Sequence, residues 1–122
     1  MLTLPPSVRI YVAAHPVDAR KSFDGLSALV QSEFGLDVMS GHLFFFLNRR
    51  GHVAQLLFWD RHGFCLVKKR LETGTFRLVR KADEGDAYVE INSAELALML
   101  EGIELDGAKR RKRYEPPPPQ KK

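Results

Sequence analysis

Nine lysine and arginine residues fall between Arg49 and Lys81 against two acids, with Trp59, Phe64 and Phe76 interleaved among them. Cations that neutralise phosphates and rings that stack on bases are the side chains a nucleic-acid surface uses. Arg49, Arg50, Lys68, Lys69, Arg70 and Arg77 are therefore candidate DNA contacts. An apolar edge strand guarded by Lys and Arg has the same composition, so this cluster admits a purely structural reading too. A second cluster, Lys109, Arg110, Arg111, Lys112 and Arg113, contains no acid and reads as a phosphate-binding arm. Its alternative is a solubilising or partner-binding tail.

Catalytic chemistry finds much less to work with. Trp59-Asp60-Arg61-His62-Gly63 sets an acid, a cation and a base side by side, but general acid–base work needs a second positioned group and a cleft. Asp60 is read as a turn residue, with Gly63 at the positive-φ position. His15, His42, His52 and His62 have no metal-ligand spacing, and the acids gather in 83–106, outside the central apolar runs. No phosphate-cradling glycine loop or nucleophile elbow occurs. The chain is read as a non-enzyme with no catalytic residues, no metal and no cofactor.

Asp18, Arg20, Lys21 and Asp24 surround the start of an expected helix. Arg20 and Lys21 could meet phosphate there; the favoured reading has Asp18 capping the turn or pairing with Arg20, and Asp24 complementing the helix dipole. Gly25 within that helix is expected where the sheet approaches closely.

These residues need elements to hold them. Apolar runs over 42–48, 53–59 and 64–71, with Gly51, Gly63 and Gly74 in the loops that follow them, predict consecutive antiparallel hairpins. Val8–Val12 predicts a first strand, Tyr88–Ile91 a last one, and Phe76, Leu78 and Val79 a short extra element. Phe23, Leu26, Leu29, Val30 and Phe34 fall on one helical stripe, with Ser22 as N-cap and Gly35 as stop. Asn92-Ser93-Ala94-Glu95 forms a capping box before a second helix ending near Gly102. The fold class is α+β: an antiparallel sheet of four to five strands and two helices over 1–107, then a flexible basic, proline-rich tail over 108–122.

The central strands are apolar on both faces. In the simplest register Phe44, Phe46, Leu57, Trp59, Phe64 and Leu66 share one face, and Leu43, Phe45, Leu47, Ala54, Leu56 and Phe58 the other. Either a helix covers each face or one face meets another chain. Phe44, Phe46, Phe58, Trp59 and Phe64 are the candidate protein interface, to a partner or to a second copy as a homodimer.

Net charge is +4, but it is partitioned: −1 over 1–48, +7 over 49–81, −8 over 82–108 and +6 over 109–122. The acidic and basic blocks either neutralise each other within the fold or stay available to partners. Cys65 is the only cysteine, so no intramolecular disulfide forms and a reducing cytoplasm is favoured. The N-terminus does not read as a signal peptide, and no apolar run is long enough to span a membrane. A soluble cytoplasmic protein is expected.

Five pieces of sequence go further: Asp18-Ala-Arg-Lys-Ser-Phe-Asp-Gly-Leu26; Gly41-His-Leu-Phe-Phe-Phe46; Leu57-Phe-Trp-Asp60 with Gly63-Phe-Cys-Leu66; Lys69-Arg-Leu-Glu72 with Gly74-Thr-Phe76; and Met99-Leu-Glu-Gly-Ile103. In this order they resemble the accessory-protein family encoded by the second reading frame of insertion sequence 66 elements, often called TnpB or Orf2 and unrelated to the RNA-guided nuclease of the same name. The resemblance implies a role in DNA transposition beside a separate transposase and a second accessory protein of the same element. It brings no catalytic residues. Where the family pattern has an acid and then basic residues after Arg49-Arg50-Gly51, this chain has His52, Val53 and Gln55, which weakens the case for phosphate contacts on that strand. Two rival readings stand: a pure protein–protein adaptor whose acidic segment docks a basic partner, and a small metal-dependent nuclease.

Overall fold

The computed structural model describes residues 5, 7–76 and 78–101. Five strands, β1 (Ile10–Ala13), β2 (Leu43–Leu47), β3 (Val53–Asp60), β4 (Gly63–Arg70) and β5 (Tyr88–Ile91), form one sheet in the order β4-β3-β2-β1-β5. The helices are α1 (Phe23–Leu29), continued by a π-helical turn over Val30–Phe34, and α2 (Ser93–Glu101). This is the expected α+β domain. Arg77 and the basic stretch 109–113 lie outside the described residues, as does the expected end of α2 at Gly102.

The hairpins β2–β3 and β3–β4 are antiparallel, with Phe44 opposite Leu57 and Leu57 opposite Leu66. The sheet as a whole is mixed, because β1 lies parallel to β2, with Ile10 opposite Leu43. A parallel neighbour needs a crossover, and α1 supplies it. β1 is thereby flanked on both sides, its other neighbour being β5 in antiparallel pairing.

Alternating side chains send the two apolar sets to opposite faces, as the simplest register requires. Phe44, Phe46 and Leu57 pack with Leu26, Val30 and Phe34 under α1 and its extension. Phe45, Leu43 and Ala54 pack with Leu96 and Met99 under α2. Each face thus has its own helix, which explains why β2 is apolar without alternation. Burying a phenylalanine contributes roughly 1.5–3 kcal/mol, so Phe44, Phe45 and Phe46 anchor both layers from one strand.

Several local expectations change. Phe76, Leu78 and Val79 are not in a strand; Phe76 is instead a core residue of the α2 face, and Leu78 and Val79 pack against that core. Ser22 occupies the N-cap position of α1, but its side chain makes no capping bond. Gly25 does not face the sheet: a Cβ there would meet the Lys21 side chain at 3.4 Å. The positive φ of the β3–β4 turn belongs to Arg61, at 56°, while Gly63 lies in the ladder opposite Asp60. Gly35 does stop the first helix in the left-handed conformation, at φ 66°. The Asn92–Glu95 capping box is present in both directions: Glu95 N–H donates to Asn92 Oδ1 at 2.8 Å, and Asn92 N–H to Glu95 Oε1 at 3.0 Å. Among the described residues no helix is long and apolar enough to cross a membrane.

Candidate nucleic-acid interface

One end of the sheet gathers the β1–α1 loop, the β2–β3 hairpin tip and the end of β4. The hairpin tip is organised by Asn48. Its carbonyl accepts from Gly51 N–H at 3.0 Å, and its Oδ1 from Val53 N–H at 3.0 Å. Gly51 turns at φ 74° and packs tightly on Thr75, 3.3 Å from where a Cβ would sit. Phe76 N–H donates to the Gly51 carbonyl at 2.7 Å, tying the tip to the following segment. Held this way, Arg49 and Arg50 stand exposed at the apex with no ion pair to any described residue.

The β1–α1 loop is held by two neighbouring side chains on the α1 face of the sheet. Gln55, opposite Lys68 in the β3–β4 ladder, is a buried polar residue, and its Nε2 donates to the Lys21 carbonyl at 2.9 Å. Lys68 Nζ donates to the Ala19 carbonyl at 2.8 Å. Asp18 then fixes Arg20: it accepts from the Arg20 amide at 2.9 Å and from the guanidinium at 2.7 Å. Those bonds hold the Asp18 carboxyl down to about 2. Arg20 is accordingly engaged, in line with the favoured sequence reading, and Lys21 extends into solvent beside it. Pro16, Asp18, Arg20, Asn48, Arg49 and Arg50 line a shallow depression of about 540 Å³ between loop and hairpin.

The other candidate cations divide by what they touch. Lys69 lies on the opposite face, its Nζ on the Leu100 carbonyl near the end of α2 at 3.0 Å, and Arg70 pairs with Glu72 at 3.3 Å. Arg49 and Arg50 therefore carry the least engaged charge of the sequence-derived set within the described residues. Gln55 was not among the candidates. Its signal was present as a lone polar residue among the apolar positions of β3.

The candidate protein interface also divides. Phe44 and Phe46 are 0% and 1% exposed within the chain's own core, because α1 covers that face, and they are withdrawn from any contact surface. Phe58, Trp59 and Phe64 are half-buried, with Trp59 and Phe64 edge to face at 5.0 Å. The paired residues of β2 and β3 reach only from Ala54 to Leu57, so this aromatic pair lies where β3 and β4 run on as a hairpin. Of the histidines, His42 Nδ1 accepts from the Arg9 amide at 3.0 Å and His52 contacts the Asn48 side chain. Among the described residues no group of three or more His, Cys, Asp or Glu converges as a metal site would require.

Residues 8–110 match the model of the family described as IS66 Orf2 like protein. The chain belongs to that family. Membership in the IS66 Orf2-like family supports a role as an accessory protein of transposition, and the family is not one of known enzymes. The chain is 36% identical over 104 residues to the uncharacterised protein y4hO of Sinorhizobium fredii, covering 85% of this chain and 88% of that one. It is 33% identical over 104 residues to the uncharacterised protein y4jC of the same organism, covering 85% and 86%. No solved structure matches it.

Proposed function

We propose that this IS66 Orf2-like protein is a non-enzymatic transposition factor that binds DNA through the basic end of its sheet and the basic stretch 109–113, and binds the transposase or the second accessory protein of its element. One observation carries the DNA half of this reading. Arg49 and Arg50 are exposed at the apex of the β2–β3 hairpin and pair with no acid among the described residues, whereas Arg80 of the same +7 segment is tied to Glu95 of the −8 segment at 2.9 Å. These two arginines therefore keep their charge available to neutralise phosphates. Binding of this kind fixes position on the duplex more than it reads sequence.

The test is a salt titration of the full chain and of a chain lacking residues 109–122 against one duplex. Affinity of the full chain should fall with salt at a log–log slope of about −0.9 per phosphate neutralised. Deleting the stretch removes seven cations and one acid and should leave a shallower slope that Arg49→Ala with Arg50→Ala reduces again. No binding by any form would leave the pure adaptor reading. With Mg²⁺ or Mn²⁺ the protein should not cleave the duplex; cleavage lost in Asp60→Ala would favour a nuclease instead.

A further inference from the structure

The sheet has two outer strands, and they differ. β5 is four residues long, whereas β4 is eight, unbulged, and free of proline. Leu71 N–H donates to the His52 carbonyl at 2.8 Å, which marks 52–71 as a hydrogen-bonded pair. Counting back in twos along an antiparallel ladder, the backbone N–H and C=O groups of Phe64, Leu66, Lys68 and Arg70 point away from β3. No described residue bonds to these outward groups. An open row of this kind is a template for another strand.

The charge along β4 indicates which strand. Lys68, Lys69 and Arg70 guard one end only, and the other end, Gly63–Val67, is uncharged and includes Val67, 54% exposed on the outermost strand. We infer that β4 pairs antiparallel with β4 of a second copy about a two-fold axis at Val67, continuing the sheet across the dimer. In that register Lys68 faces Leu66, Lys69 faces Cys65 and Arg70 faces Phe64 of the partner copy, so no like charges lie directly opposite. The outward residues of each copy meet outward residues of the other, which satisfies both rows of backbone groups. Val67 meets its own counterpart at the axis and is buried there. Parallel pairing in register would instead stack the three cations against themselves, and the one-ended guard selects against it.

The full chain, stripped of nucleic acid in high salt, should sediment at twice its 13.9 kDa mass. Val67→Lys places two cations on the axis at an exposed position, so it should give a folded monomer with unchanged circular dichroism. In a Cys65→Ser background, Val67→Cys should cross-link to a disulfide dimer on mild oxidation, because directly opposite Cβ atoms lie about 4.5–5.5 Å apart. Unmutated Cys65, which faces Lys69 in this register, should not. A monomeric full chain at high concentration, a Val67→Lys dimer, or cross-linking through Cys65 rather than residue 67 would overturn the proposal.

Discussion

The segments 49–81 and 82–101 carry charge of opposite sign and use it in opposite ways. In the acidic segment, Glu95 closes the capping box of α2 and pairs with Arg80, Glu90 pairs with Arg9 across the β1–β5 edge, and Asp86 accepts the Asp83 amide. In the basic segment Arg49, Arg50, Arg61 and Lys81 are exposed and meet no acid among the described residues. Formal charge density therefore does not identify a binding surface; what matters is whether the fold already uses the charge. Acids at caps and edges stabilise this chain, while cations at a hairpin apex leave their field outside it.

The sharpest test of that contrast is to exchange what each half should lose. Arg49→Ala with Arg50→Ala should lower duplex affinity about 30-fold near ~0.15 M salt if each arginine neutralises one phosphate, with unfolding midpoints unchanged. Asn92→Ala should do the reverse, costing about 1 kcal/mol in denaturant unfolding through loss of the α2 cap while leaving affinity intact. Arg61→Gly relieves a left-handed residue and should raise stability by about 0.5–1 kcal/mol, again without moving affinity unless Arg61 contacts DNA. The smallest expected effect is at Asp18. Its carboxyl is lowered from 3.8 to about 2 by Arg20, so its contribution to folding is complete above pH 3.8 and lost as pH falls toward 2. A carboxyl NMR titration should find that midpoint, and a value near 3.8 would mean that Arg20 is unengaged and belongs with Arg49 and Arg50.

The hairpins, both helix positions and the two apolar sets were legible in the sequence because they depend on local turns and on periods of two and 3.6. Position in the sheet was not. Nothing within Val8–Val12 says that β1 enters beside β2 in parallel, since that is decided by where the α1 crossover returns the chain. Phe76, Leu78 and Val79 carried strand-like composition yet pack beneath α2, which needed apolar filling more than the sheet needed another edge. At the candidate interface the residue types were legible and their engagement was not. Lys68 and Lys69 look alike in sequence, but they reach carbonyls on opposite faces because neighbouring strand residues point apart.

Placing β1 between β2 and β5 also sets an order of assembly. β2, β3 and β4 join through short turns and can zip together soon after they leave the ribosome, whereas Ile10 must find Leu43 on one side and Ile91 on the other. The first strand made is therefore the last to be closed in, and its free side waits for β5 to be synthesised. A nascent chain stalled before Tyr88 would leave the β5 side of β1 unpaired, an open edge that the finished sheet covers, so premature termination there should yield aggregates rather than a smaller working domain.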